Sequence, residues 1–314
     1  MNVRGFAILF ACLASLVAAG CDDRKPPSDA RSSTPVEAKA KPRAEIIPAY
    51  AYDAPVKGHI SESNVGTFDV VDGIAYAALA GQGTVVYVAS KSIASPMLVE
   101  SACPLAQARA LSKLRNASFA EVTLDANGRS KYFAAGMPFG GGLVDRTAGA
   151  WTSTLKRDAG RADGSVTHVR YGHFEFDMPL SNPKVDEMSN GDRDVTRRPP
   201  ATTPKPTEQA VTDAYVALRD AALRKDLKAT LAAMGFDPKQ ITAIRGMDGI
   251  DADFQVFANR FLAPGTTGDP STRAGAGNVR GEGVKADGRK YFNDYYFDLC
   301  QDRLVLTGIV EQSP

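Results

Sequence analysis

The hydrophobic positions of this chain follow two different periods, and the strand-like one comes first. The stretch FEFDMPL (174–180) alternates apolar with polar residues, as a strand with one buried face does. Shorter β-branched and aromatic runs precede it, such as TVVYVAS (84–90), and Asn127-Gly128 indicates a tight hairpin. A single helical pattern, which begins at Pro104, interrupts these runs. Residues 56–180 therefore predict a β-rich antiparallel sandwich or half-barrel with one helix.

In the last third of the chain the apolar residues take the spacing of a helix. Apolar residues recur every three or four positions from Val211 to Ala222, and Thr207 is a candidate N-cap. Further short helical patterns follow, and then come strand patterns. The three predicted strands span 278–285, 288–300 and 303–311. Residues 207–314 therefore predict an α+β unit of helices followed by a three-stranded, curled antiparallel sheet.

The run AYVALRDAALRKDL (214–227), with this order of elements, resembles the opening of SnoaL-like domains of the nuclear transport factor 2-like group. The resemblance implies a small, cone-shaped, cystatin-like α+β domain. In that group the sheet curls around a pocket, which either holds a small ligand or is plugged, so that the domain offers only a docking surface. Tyr295, Asp294 and Asp298 are the expected neighbours of an open pocket. A cone filled by aromatic side chains would argue against one.

Two segments of low complexity separate these units. Residues 21–55 are rich in Pro, Ala, Ser and charged residues and poor in large apolar ones. Such a segment buries too little surface to offset its ordering entropy, so it predicts a disordered tether. Residues 181–206 are similar in composition and predict a Pro-rich linker between the two domains.

The first twenty residues have the pattern of a secretory leader. They carry one charge, Arg4, followed by an apolar run that is too short to span a bilayer and by small residues up to Gly20. The sequence LVAAGC (16–21) resembles a bacterial lipobox, which implies cleavage before Cys21 and acylation of its thiol. Asp22 resembles the signal that retains lipoproteins at the inner membrane of Gram-negative bacteria. An outer-membrane location and an ordinary signal peptide remain as alternatives.

The charge balance and the cysteines limit the class of protein further. The chain has 37 Lys+Arg and 36 Asp+Glu, whereas a nucleic-acid-binding protein shows a basic excess. With Cys12 in the leader and Cys21 lipidated, Cys103 and Cys300 remain. In an oxidising periplasm these two either form a disulfide between the two domains or stay as separate thiols.

The chain shows no pattern typical of a catalytic, cofactor or metal site. Its three histidines, His59, His168 and His173, lack ligand spacing. Two segments remain as candidates for binding. One face of the strand that ends at Cys300 combines aromatic with acidic residues, as the rim of an interface or pocket does. That candidate face consists of Phe292, Asp294, Tyr296 and Asp298, and packing of a two-sided sheet against the other domain explains it as well. The candidate loop contains Met137 and Phe139, and the favoured alternative is a plain connection in which these two are buried anchors.

The sequence therefore predicts a non-enzymatic, lipid-anchored periplasmic protein without a cofactor, which binds another protein. One version is an immunity protein against an antibacterial effector. The alternatives are a small-ligand-binding or enzymatic SnoaL-like domain, and an accessory of envelope or secretion-system assembly.

Overall fold

The computed structural model of the protein describes residues 56–63, 65–77, 83–140, 142–145, 151–158, 160–168, 170–181, 204–261, 268–284, 288 and 290–312. The predicted leader and tether, with Cys21 and Asp22, lie outside these residues. So does the predicted linker, except for residues 181 and 204–206.

The alternating and β-branched runs of the first half form ten strands among the described residues. They are β1 (Val56–Glu62), β2 (Gly66–Asp69), β3 (Asp72–Ala77), β4 (Thr84–Ala89), β5 (Phe119–Leu124), β6 (Ser130–Gly136), β7 (Gly142–Asp145), β8 (Trp151–Asp158), β9 (Arg161–His168) and β10 (Gly172–Ser181). This half also has two helices, α1 (Ser95–Val99) and α2 (Pro104–Leu114). The prediction of one helix is wrong, since the described residues of this half form two. The pattern of apolar residues missed α1 because this helix has only five residues, too few to show a period.

These ten strands form one sheet in the order β2-β1-β10-β3-β4-β5-β6-β7, and the β8–β9 hairpin joins it at β10. Strand β10 pairs with β1 through residues 172–176 and with β3 through residues 180–181, so one edge of this strand serves two neighbours, and β9 pairs along the strand as a third. The β10–β3 pair is the parallel one, and the sheet is otherwise antiparallel. The sheet curls into a half-barrel, which confirms the predicted α+β class and half-barrel.

Both faces of this sheet are covered near its centre. Every residue of β4 is buried, which is typical of a strand with no wet side. Val86 and Val88 pack in the cluster inside the half-barrel. Val85 and Tyr87 belong to a second cluster on the opposite face, which includes α2.

The second half contains four helices and four strands among the described residues. They are α3 (Glu208–Leu223), α4 (Leu227–Ala233), α5 (Pro238–Arg245), α6 (Ile250–Ala258), β11 (Ser271–Arg273), β12 (Ala276–Val284), β13 (Lys290–Cys300) and β14 (Arg303–Gln312). The sheet order is β11-β12-β13-β14, so the prediction of three strands is wrong by one. Strand β11 has three residues and no large apolar side chain, and therefore gives no alternation. None of the helices in this description has the length and apolar character that a bilayer crossing needs.

Helix α2 is the contact between the two halves, and all eleven of its residues are buried. It packs against β3 and β4 on one side and against α6 and β14 on the other. Gln107 shows how its polar residues are accommodated. Its amide donates to Gln240 Oε1 at 3.2 Å and accepts from Gln240 Nε2 at 2.8 Å. It also donates to the Gly235 carbonyl at 3.2 Å, so the side chain connects α2 to the segment around α5.

One hydrophobic cluster extends through both halves. It runs from Ile74 in β3, through Leu105 and Leu111 in α2, to Phe257 in α6 and Ile309 in β14. The described residues belong to a single compact unit.

A disulfide joins the two halves covalently beside α2. Cys103 directly precedes the helix and Cys300 ends β13, and their sulfur atoms are 2.01 Å apart. Both residues are buried. The bond closes a loop across a sequence separation of 197 residues.

We expect the double substitution Cys103→Ala and Cys300→Ala to lower the free energy of unfolding by about 3–5 kcal/mol, because a long closed loop restricts the unfolded chain strongly. Denaturant titration of the oxidised wild type and of the variant measures this difference. Reductant should destabilise the wild type and leave the double variant unchanged. Equal stability of the two oxidised proteins would contradict the expectation.

Candidate functional site

A cavity of about 280 Å³ opens between α2, the large sheet and the four-stranded sheet. We call it the seam cavity. Its lining consists of Tyr87, Arg109, Lys113, Phe119, Arg273, Tyr296, Thr307 and Gly308. Both halves of the chain contribute, so the seam cavity exists only when the two halves are packed together.

Two of the aromatic rings in this lining lie over glycines of a neighbouring strand. Phe119 in β5 pairs with Gly136 in β6, where an added β-carbon would lie 2.8 Å from the Phe119 ring. Tyr296 in β13 pairs with Gly308 in β14, where an added β-carbon would lie 3.2 Å from the Tyr296 ring. Glycine in a strand often marks such a close approach. The two glycines therefore let the rings lie back against the sheets and leave the seam cavity open.

Arg109 forms a buried, positively charged part of the wall. Its Nε and Nη2 atoms donate to Glu121 Oε2 at 3.1 and 2.7 Å. Its Nη1 atom lies 3.4 Å from Asp298 Oδ2. Because a buried guanidinium needs a partner, these carboxylates fix the position of Arg109 and compensate its charge.

Lys113 lies one helical turn after Arg109. Its ammonium sits over the Phe119 ring, 4.8 Å from the centroid, in the geometry of a cation–π contact. No carboxylate of the described residues forms an ion pair with it. Burial, and then the charge of Arg109, lower the pKa of Lys113 to about 8. An anion in the seam cavity would supply the ion-pair partner that the described residues do not give to Lys113.

Arg273 and Tyr87 complete the polar lining. Arg273 is exposed at the end of β11 and, within the described part of the chain, has no ion-pair partner. The buried Tyr87 hydroxyl lies near the Ser112 hydroxyl, and among the described residues it has no other hydrogen-bond partner. Burial raises the pKa of Tyr87, and the nearby Ser112 hydroxyl and Arg109 partly offset that effect. The phenol is thus neutral at pH 7.

The structure divides the predicted binding face in two. Tyr296 lines the seam cavity, and Asp298 contacts the Arg109 of its wall. Asp294 instead accepts hydrogen bonds from Arg280 at 2.7 and 2.9 Å and from Gln312 at 2.7 Å. Phe292 lies under the same Arg280 guanidinium, 5.5 Å from its ring centroid. The carboxylate of Asp294 is therefore engaged within the protein.

Aromatic side chains fill the interior of the second half. Phe254, Phe257 and Phe297 are all buried in the main cluster. Tyr295 is also buried, and its hydroxyl donates to the Arg260 carbonyl at 3.0 Å. The cavity described above therefore lies between the halves and not inside the curled sheet of the second half.

The predicted binding loop has one exposed and one buried residue. Met137 is exposed. Phe139 is buried beneath the Arg260 guanidinium, which lies 4.5 Å from the ring centroid. The Glu311 amide donates to the Phe139 carbonyl at 3.5 Å. Phe139 thus anchors a loop that presents Met137 to solvent.

The histidines lie away from the seam cavity. His59 pairs across strands with His173, and His168 Nε2 lies 3.4 Å from Asp145 Oδ2. In the part of the chain that the structure describes, no three His, Cys, Asp or Glu side chains form a group that could hold a metal ion.

Sequence reasoning missed the cationic residues of the seam cavity. Arg109 and Lys113 are spaced like charges on the wet face of a helix, and their pattern gives no sign that a second half covers them. One signal was present, since the predicted helix begins directly after Cys103, a candidate for a bond to the other half.

Comparison with known proteins finds no matching family model, no matching curated protein and no matching solved structure.

We expect Lys113→Met to change the pH dependence of stability. The folded-state pKa of about 8 lies below the ordinary value of 10.5, so the unfolded chain binds this proton more tightly. The cost of burying the ammonium is fully present below pH 8 and is relieved as the pH rises to about 10.5. Over this window the unfolding free energy of the wild type should rise by about 3 kcal/mol relative to the variant.

Denaturant titrations of both proteins at intervals from pH 7 to pH 10.5 give this difference. Tyrosine ionisation affects the two proteins equally, so it cancels. A difference that does not change with pH would show that the Lys113 ammonium is not desolvated in the folded protein.

Proposed function

We propose that this chain is a lipid-anchored, non-enzymatic binding protein of a bacterial envelope, whose recognition site is the seam cavity. The observation that carries the proposal is the Lys113 ammonium, which is buried in that cavity and has no ion-pair partner among the described residues. The rest of the lining is aromatic rings, two arginines, a hydroxyl and a glycine. Such groups hold a ligand by charge and contact.

The disulfide supports an extracytoplasmic location. A bond between two buried cysteines in different halves is expected in an oxidising compartment and is rare in the cytosol. Together with the leader and the lipobox, it favours the periplasm, where the lipid on Cys21 and the signal at Asp22 would hold the protein at the inner membrane.

We expect cells that express the full chain to incorporate labelled palmitate into it, and we expect Cys21→Ser to abolish that label because the acceptor thiol is gone. The double variant without Cys103 and Cys300 is the matched control, since it loses cysteines and should keep the label. Label that persists in Cys21→Ser would disprove lipidation at this position. Membrane fractionation of the labelled protein then tests the role of Asp22.

We also expect the full chain, extracted in mild detergent, to retain a small molecule that native mass spectrometry detects. Gly308→Val should remove that molecule, because a larger side chain pushes the Tyr296 ring, 3.2 Å from the position of a β-carbon, into the seam cavity. Gly140→Val is the matched control, since an added β-carbon there meets no atom within 4 Å. A molecule that survives in Gly308→Val, or no molecule in the wild type, would contradict the proposed site.

A protein partner is the second candidate, and the exposed Met137 on its anchored loop is the observation that favours it. An immunity protein and an assembly accessory are two versions of this candidate. Affinity capture with the variants Met137→Asp and Gly308→Val separates a protein partner from a small ligand of the seam cavity. A stoichiometric protein partner that is lost with Met137→Asp and kept with Gly308→Val would favour the second candidate.

A further inference from the structure

We propose that the ligand of the seam cavity is a small aromatic carboxylate, an inference that rests on the proposed function. Its carboxylate would lie at Lys113 and Arg273, and its ring would lie against Phe119 and Tyr296.

The balance of charge at the seam cavity favours a monoanion. Arg109, Lys113 and Arg273 line it, and Glu121 and Asp298 both contact Arg109. Among these five residues the cations outnumber the carboxylates by one. A single carboxylate neutralises that difference, whereas a phosphate dianion would leave a partly buried excess of negative charge, which is costly.

The volume and the walls favour a ligand of about one aromatic ring. A cavity of about 150 Å³ accommodates benzene, and the seam cavity is about 280 Å³. Drug-sized ligands occupy pockets of about 300–1,000 Å³, so the ligand is smaller than these. Phe119 and Tyr296 come from different sheets and lie back over Gly136 and Gly308. An aromatic ring that lies against both gains apolar contact with a side chain from each sheet.

Lys113 is the group that makes binding selective for an anion. Its charge is desolvated, so a carboxylate that contacts it forms a charge-assisted bond in a medium of low polarity. An uncharged amide of the same shape would leave the ammonium unpaired and would bind more weakly.

Binding should therefore weaken as Lys113 loses its proton. The charged and titratable groups around it come from every neighbouring element: Arg109 from α2, Tyr87 from β4, Glu121 from β5, Arg273 from β11, and Tyr296 and Asp298 from β13. Burial raises the pKa of Tyr87 and of Tyr296, so both phenols stay neutral while Lys113 titrates. From pH 7 to pH 9.5 the affinity should fall about tenfold or more, because the carboxylate binds the protonated amine.

The test is isothermal titration calorimetry of the full chain in mild detergent, after removal of any co-purified ligand. The probes are benzoate, phenylacetate and 4-hydroxybenzoate, each compared with its uncharged amide. At pH 7 we expect at least one acid to bind ten times more tightly than its amide, with proton uptake when the titration is repeated at pH 8.5. Lys113→Met should bind acid and amide equally, and Lys131→Met, which removes an exposed lysine of β6, should behave like the wild type.

Two results would overturn the inference. One is that all three acids bind no better than their amides. The other is that the preference for acids survives in Lys113→Met while both variants keep the circular dichroism spectrum of the wild type. If, in either case, the wild type retains a co-purified ligand that Gly308→Val loses, the proposed function stands and only the ligand class is wrong. If no ligand depends on Gly308 and no probe binds, both proposals fail.

Discussion

The burial of α2 is the constraint on which the rest of this structure depends. A helix that is covered on every side is usually apolar throughout, yet this one places Gln107, Arg109, Ser112 and Lys113 out of bulk water. Because an unpaired buried polar group is costly, neighbouring elements have to supply partners. Gln240 comes from α5, Glu121 from β5 and Asp298 from β13. These pairings align the two halves with each other, since hydrophobic contact alone is non-directional.

The candidate site is the place where the neighbouring elements that the structure describes do not supply every polar residue of α2 with a charged or hydrogen-bonding partner. Gln107 and Arg109 find partners inside the protein, whereas Lys113 has, among the described residues, the face of Phe119 and no carboxylate. The glycines opposite Phe119 and Tyr296 keep space at the same point. Within the described part of the chain, a buried ammonium without a carboxylate partner and a space that no side chain fills thus occur at the same point. Either feature alone would be a minor irregularity of packing, and together they describe the complement of a ligand.

The sequence predicted the elements well where one local pattern decides the structure. The alternation at 174–180 became β10, and Thr207 caps α3 by accepting a hydrogen bond from the Ala210 amide at 3.1 Å. Prediction from the sequence failed where the length of an element or its long-range packing decides the structure. Helix α1 and strand β11 are too short to show a period. The seam cavity joins residues from six elements, and the polar spacing of Arg109 and Lys113 is the same whether a helix faces water or a second sheet.

The disulfide between Cys103 and Cys300 has a consequence for the covalent topology of the protein. The bond makes residues 103 to 300 a closed ring, from which the two ends of the chain extend. Cleavage of any one peptide bond within that ring, including those of the predicted Pro-rich linker, opens the ring without releasing a fragment. An envelope protease that cuts once there would leave a single molecule, and α2 and β13 would remain joined until a reductant separated them.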